Sequence, residues 1–361
     1  MHISIIIPTY NRSFLLTNTI KSILDSNLSS IKYEILIIDN ASEDNTRGAV
    51  QSIIIEYNNP NIIFYLEPIP GLHSARQRGI IESKGEILVF IDDDILVDPD
   101  WLSSIAQSFT DKSVHLVGGK CLPLYEIEPP KWTKDLWEPI PDGKMCVAFS
   151  LIEQGELIKE TNPNYVFGVN FSIRKETLLK LGGFHPDTVP KKHQRFQGDG
   201  ETGLTMKIIK LKLKSIYNPN VKVYHYVSKE RMTIRYIQER MFFQGVCDSF
   251  TKIRDDYYFS NIHDCNYPYP PLINSKSNFS KNIFSHLNYA YFCRKIKKSY
   301  KIFFQIHNRK TVIEKIDLLN KIESAYKEGY DFHQKEVKND PKLYSWVIKQ
   351  NYFEYNYFEY L

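Results

Sequence analysis

Among 361 residues there are only five cysteines (Cys121, Cys146, Cys247, Cys265, Cys293), scattered, odd in number and never in Cys-x-x-Cys spacing. That argues against a disulfide framework and a zinc site, and it suits a reducing compartment. No run of about 18 apolar residues exists, so no membrane-spanning helix is expected. The apolar run at Met1–Pro8 is short and has no basic segment before it, so no signal peptide is expected either. A large excess of charge is also missing: 46 Lys and Arg against 42 Asp and Glu leave a formal +4, which is mild and says little about partners, and no nucleic-acid partner is expected. No Gly-x-Gly-x-x-Gly follows the first apolar run, so a dinucleotide site is not supported. What remains is an ordinary globular composition, 42% hydrophobic and 24% charged, with 24 Tyr and 21 Phe enriched towards the C-terminus.

The order of elements is informative. Ile3–Ile7 reads as a strand stopped by Pro8, followed by a polar turn, Thr9-Tyr10-Asn11-Arg12, and a helix with Leu16, Ile20, Ile23 and Leu24 on one stripe. Tyr33–Ile38 is a second strand ending at Asp39-Asn40. Further on, the pattern predicts a helix over 46–57, a strand over 62–66, a break at Pro70-Gly71, a helix over 72–83 and a strand over 87–91. This β-α-β alternation implies a parallel sheet covered by helices on both faces, whose ligands bind at the carboxyl ends of the strands. Thr9, Asp39, Gly71 and Asp92-Asp93-Asp94 all fall at that edge. Beyond it, 125–142 reads as an ordered loop that must pack Trp132 and Trp137. Tyr165–Arg174 and Ile216–Tyr226 read as strands, the second bearing His225.

The acidic triplet is the sharpest feature. Three adjacent carboxylates at the mouth of a buried strand cost energy unless a cation sits there, and a hard divalent ion is the natural partner. Strand alternation puts Asp92 and Asp94 on one side and Asp93 on the other. A solvated acidic turn capping the next helix is the plain alternative.

Taken in order, Ile5-Ile-Ile-Pro-Thr-Tyr-Asn-Arg12, Ile38-Asp-Asn-Ala-Ser42, Gly71-Leu-His-Ser-Ala-Arg76 with Gly79, Gly85-Glu-Ile-Leu-Val-Phe-Ile-Asp-Asp-Asp94, Gly168-Val-Asn-Phe-Ser-Ile-Arg174, Gly182-Gly-Phe184, Gly198-Asp-Gly-Glu201 and Val223-Tyr-His225 resemble a family 2 glycosyltransferase over roughly residues 1–250. The resemblance implies a GT-A fold, an α/β Rossmann-like mixed sheet with helices on both faces. It also implies an inverting, metal-dependent transfer of sugar from a nucleotide-sugar donor, commonly a UDP-sugar, to a hydroxyl acceptor, in bacterial surface polysaccharide or glycoconjugate assembly. Under it, Pro8, Thr9, Tyr10, Asn11 and Arg12 line the nucleotide, Asp39 and Asn40 lie at the base, and Gly71 and Arg76 serve the base or phosphates. Asp93 lies near the ribose or donor sugar. Asp94, supported by Asp92 and His225, holds Mn²⁺ or Mg²⁺. His225 can equally be a core residue of its strand.

An inverting transfer needs a carboxylate to take the acceptor's proton. Where the family commonly shows Glu-Asp before a helix, this chain has Gly198-Asp199-Gly200-Glu201. Alignment on the helix favours Glu201 as the base, with Asp199 as the second candidate. Capping of that helix is the plain reading of both. Gln77-Arg78 replaces the family's more usual Arg-Asn. The altered base motif keeps open a non-catalytic nucleotide-sugar binding protein of the same fold. A nucleotidyltransferase is disfavoured because Pro8-Thr9-Tyr10 is not a basic Gly-rich loop.

The expected organisation is a glycosyltransferase domain over 1–250 (nucleotide-binding half 1–100, acceptor half 101–250) and a mainly helical, aromatic-rich extension over 251–361. Within the extension, 262–280 reads as a connector. Phe292, Ile296, Tyr300, Phe303 and Phe304 form one helical face, and 289–304 can touch an anionic membrane peripherally. A helix is expected over 310–326, and Tyr344–Leu361 packs intramolecularly or across a homodimer. The expected location is the cytoplasm, with the inner face of the plasma membrane for the peripheral case.

Overall fold

β1 (His2–Thr9) lies between two parallel neighbours, β2 (Lys32–Asp39) and β4 (Ile87–Ile91), and all five residues of β4 are buried. The computed structural model of the chain describes residues 1–28, 31–260 and 309–353. Alternation along the strands divides their side chains between two cores. Ile3, Ile5, Ile7, Ile35 and Ile37 pack with α1 (Ser13–Leu24), α2 (Thr46–Tyr57) and α4 (Trp101–Ser108). Ile6, Leu36, Ile38, Leu88 and Phe90 pack with α3 (Leu72–Glu82), α5 (Lys175–Lys180) and α6 (Glu201–Lys210). Each such side chain contributes about 2 kcal/mol on burial, so β4 is anchored firmly enough to fix charged residues at its end.

Outside this parallel centre the sheet is mixed. Among the described residues it has eight strands. β3 (Ile62–Leu66) forms one edge beside β2. On the other side of β4 come β12 (Asn170–Arg174), β6 (Val114–Gly118), β13 (Lys214–Tyr217) and β11 (Lys159–Glu160). β12 runs antiparallel to β4 with Asn170 opposite Ile91, which brings the chain just before Asn170 back to the acidic edge. A second sheet of short strands holds β5 (Ile95–Val97), β14 (Val223–Val227), β7 (Cys121–Tyr125), β10 (Leu151–Glu153), β9 (Gly143–Cys146) and β8 (Glu138–Ile140), in that order.

Two expectations are corrected here. Ile216–Tyr226 is not one strand: β13 and β14 belong to different sheets. The break is a turn at Asn218-Pro219-Asn220, where Pro219 has no amide to donate and the Asn218 side chain accepts from the Asn220 amide at 3.0 Å. The strand expected from Tyr165 begins only at Asn170, because Pro163–Tyr165 forms a 3-10 turn capped by Asn162.

Helix α7 (Ile234–Ser260) runs through residue 250 without a break and packs along α8 (Arg309–Asn339). The two backbones approach closely because Gly245 and Gly329 face each other's helices: a Cβ on either would run into a carbonyl, of Tyr326 or Phe242 respectively. After α9 (Pro341–Val347) the aromatic end folds back on its own chain. Trp346 is fully buried and donates its indole N–H to the Phe196 carbonyl at 2.9 Å, and Tyr352 is buried beside it. The segments 262–280, 289–304 and 354–361 lie outside the described residues. No described helix is long and apolar enough to cross a membrane.

Candidate active site

The ends of β1, β2 and β4 form one edge, tied together by side chains that sequence alone had placed there. The Asn40 amide nitrogen donates to the carbonyls of Glu67 (3.0 Å) and Ile69 (2.7 Å), and its oxygen accepts from the Gly71 N–H at 2.7 Å. Asn40 thus acts as a staple between the β2 end and the start of α3. Asp39 is buried and accepts from the Ser42 amide at 3.0 Å. Asn11, in the left-handed region at φ 52°, accepts from the Glu43 amide at 2.7 Å and so joins the turn after β1 to the one after β2. Tyr10 is 55% exposed at the rim, and Pro8 is buried inside β1.

The triplet divides as alternation requires. Asp93 faces β1, accepting from the Thr9 hydroxyl at 2.7 Å and from Arg12 Nη1 at 3.0 Å. Burial nevertheless pushes its carboxyl up to about 6, with Arg12 pulling the other way. Asp94 points to the second sheet, where Arg231 Nη2 lies 2.9 Å from Oδ2 and Arg12 Nη1 at 3.2 Å. Burial opposes its ionisation, yet the guanidinium groups of Arg231 and Arg12 hold it well below the usual carboxylate range. Burial raises Asp92, and the neighbouring Asp94 charge adds to that effect.

His225 reaches this cluster through strand pairing. β14 runs antiparallel to β5 with His225 opposite Ile95, and the Tyr226 amide donates to the Asp94 carbonyl at 2.9 Å. The ring's Nδ1 lies 2.8 Å from the Phe149 carbonyl, which can only accept, so Nδ1 carries the proton and Nε2 the lone pair. Nε2 sits 3.3 Å from Asp94 Oδ1, and that buried oxygen has no hydrogen-bond donor. Arg231 spans the pair, with Nη1 2.8 Å from His225 Nε2 and Nη2 2.9 Å from Asp94 Oδ2. Asp92, Asp94 and His225 each offer a ligand atom, all within 4.8 Å of one another, a hard-oxygen-plus-imidazole set that fits Mn²⁺ or Mg²⁺.

A second group stands beside the first. Glu201, at the start of α6, accepts from the Gly168 amide at 3.1 Å, just ahead of β12 and therefore at the same edge. Its other oxygen lies 3.6 Å from Arg76 Nη1, and Asp187 lies 3.5 Å from the same nitrogen. The backbone at Gly168 approaches the Arg76 guanidinium closely, and a Cβ there would meet Arg76 Nη2. Burial raises the Glu201 carboxyl above its ordinary value. Arg76 opposes that shift, and the adjacent Asp187 charge reinforces it. Arg76 is itself buried, stacked on Phe184 at 4.9 Å, and directed at these two carboxylates.

Asp199 is not part of the group: it is buried 2.6 Å from His185 Nδ1 and 2.6 Å from the Thr251 hydroxyl. Burial opposes its ionisation, but His185, Arg254 and Thr251 keep it low. Such a carboxylate is fixed in place. Sequence reasoning singled out neither Asp187 nor Arg231 as a site residue. Asp187 stands in a polar stretch without a motif, and Arg231 follows a strand whose end was misplaced.

A strand edge with an acidic metal-type cluster beneath a mixed α/β sheet defines the GT-A class of fold. A structure of a mannosyltransferase from Pyrobaculum calidifontis, solved in complex with GDP-Man and Mn²⁺, superposes with a TM-score of 0.53 and 18% identity over 96% of this chain and 84% of that one. Residues 4–182 match the family model for glycosyl transferase family 2. Glycosyltransferase AglE of Haloferax volcanii is 32% identical over 50% of this chain. The GalNAc(5)-diNAcBac-PP-undecaprenol beta-1,3-glucosyltransferase of Campylobacter jejuni is 31% identical over 51%. The match covers about half of each relative's own length, 55% in both cases.

Proposed function

We propose that the protein is an inverting glycosyltransferase that moves a sugar from a nucleoside diphosphate sugar to a hydroxyl group of a saccharide or related acceptor. The observation that carries this is the convergence of Asp92, Asp94 and His225 within 4.8 Å of one another, including a buried Asp94 Oδ1 that accepts no hydrogen bond, with Glu201 at the same sheet edge. Asp94, Asp92 and His225 would hold a divalent cation, Mn²⁺ or Mg²⁺, which supplies Lewis-acid neutralisation of the departing diphosphate. The turns at Thr9–Arg12 and Asp39–Asn40 take the nucleoside, with exposed Tyr10 able to cover it. Asp93, held by Thr9 and Arg12, orients the ribose or sugar.

Glu201 takes the acceptor hydroxyl's proton as that oxygen attacks the anomeric carbon. Arg76 and the Gly168 amide aim its carboxylate. The Campylobacter relative is named for a polyisoprenyl-diphosphate-linked glycan, which supports a surface glycan or glycoconjugate acceptor here. Thermal shift with UDP, GDP and their sugars, each with and without Mn²⁺, tests the donor assignment. Stabilisation that needs both nucleotide and metal is expected, and stabilisation by nucleotide alone contradicts it.

The base assignment carries a pH dependence. Glu201 must be ionised to act, and its carboxyl lies above the ordinary range, so transfer falls on the acid side with a midpoint above that of a free Glu. Asp187→Asn removes a charge that raises Glu201. The acid midpoint of kcat is expected to move down. An unmoved midpoint contradicts the pairing.

A further inference from the structure

His225 presents a single lone pair, and two electrophiles have a claim on it. With Nδ1–H given to the Phe149 carbonyl, Nε2 points into the cluster, and there Arg231 Nη1 donates to it at 2.8 Å. The other end of the same guanidinium bonds Asp94 Oδ2 at 2.9 Å. Arg231 therefore bridges two of the three groups that would ligate the metal. An imidazole nitrogen cannot accept an N–H and bind a metal at once, so the contacts seen here and metal ligation by His225 are mutually exclusive.

We propose that Arg231 is a built-in competitor for the divalent cation, and that metal binding hands its guanidinium over to the diphosphate of the donor. This rests on the donor-site reading above. The backbone around Arg231 favours exchange of the side chain alone. It sits in a turn after β14, with its amide donating to the Ser228 carbonyl at 3.1 Å, while Met232 and Ile237 are buried in the core behind it. The side chain is 19% exposed, which leaves it a route outward.

Once released, a guanidinium beside a divalent cation is repelled unless anionic oxygens lie between them. A diphosphate supplies those oxygens in the forked geometry that Arg matches. The exchange therefore couples the two ligands. Metal alone must displace Arg231 into water, whereas metal with diphosphate offers it a new partner. Arg12, on Asp93 and Asp94 Oδ2, does not touch His225 in these contacts, so the competition belongs to Arg231.

The test measures Mn²⁺ binding by the electron paramagnetic resonance signal of the free ion, first with MnCl₂ alone and then with saturating UDP or GDP. In Arg231→Gln, Mn²⁺ alone is expected to bind about tenfold tighter than in the wild type, and the tightening caused by nucleoside diphosphate is expected to shrink by about tenfold. Opposite signs on the two measurements are not what damage to the fold would produce. Arg231→Lys keeps the charge but cannot bridge both groups, and it should fall between. Equal or weaker binding of Mn²⁺ alone in both variants overturns the proposal while leaving the metal site intact. Failure of the wild type to bind Mn²⁺ even with nucleotide overturns the donor-site reading, and this proposal with it.

Discussion

Glu201→Gln is expected to lower the turnover of sugar transfer by about a hundred- to ten-thousandfold, with nucleotide binding unchanged. The amide keeps the size of the side chain and can still accept from the Gly168 amide, so the local backbone has no reason to move. What it loses is the ability to accept the acceptor's proton and the charge paired with Arg76. Because Glu201 stands apart from the contacts of Asp93 and Asp94, the effect belongs in kcat and not in the affinity for nucleoside diphosphate. Asp199→Asn serves as the control, since Asp199 is sealed against His185 and Thr251 and is expected to affect stability first. Full activity in Glu201→Gln would remove it as the base. Loss confined to an Asp187 variant would move the role there.

Asp94→Asn is expected to weaken metal-dependent binding of nucleoside diphosphate by more than about 100-fold, since even residues behind a metal ligand are worth 10–100-fold. Asp94 combines three properties that no other carboxylate of the cluster shares. It is held ionised by its neighbours, it presents a buried oxygen without a donor, and it faces His225. The amide removes the ligand's negative charge and leaves Arg12 and Arg231 short of an anion. Calorimetric titration of UDP and GDP with and without Mn²⁺ reads the effect directly. Binding equal to wild type in the presence of metal would contradict the assignment of Asp94.

How much of this was legible depends on the kind of contact. The acidic edge could be read because β4 is a short, wholly apolar run that ends abruptly in charge, and strand alternation then divides Asp93 from Asp92 and Asp94. Asp39 and Asn40 followed from the same logic, though the stapling role of Asn40 did not. His225 was named as a metal residue only through resemblance. Its position depends on β5 pairing with β14, and β5 is a three-residue strand hidden directly behind the triplet. Arg231 and Asp187 were illegible for a related reason: both act across turns between elements far apart in sequence, and neither lies on a periodic pattern. Arg76 was assigned to the base or phosphates through resemblance alone. In the structure it stacks on Phe184 and orders the Glu201–Asp187 pair, a tertiary arrangement with no local signal. In the C-terminal region, α8 extends well past the stretch expected from 310–326, because its later turns also meet α7, Phe332 against Phe242 and His333 against the Ser249 hydroxyl.

The central claim is that the cluster at the end of β4 and the carboxylate at the start of α6 together transfer sugar from a nucleotide donor. Release of nucleoside diphosphate from a panel of UDP- and GDP-sugars tests it most directly, followed with Mn²⁺, after addition of EDTA, and after Mn²⁺ is restored. The account predicts release from at least one donor, abolished by EDTA and recovered with metal. Release undiminished by EDTA, or nucleotide binding with no release from any donor in the presence of acceptor glycans, would contradict it.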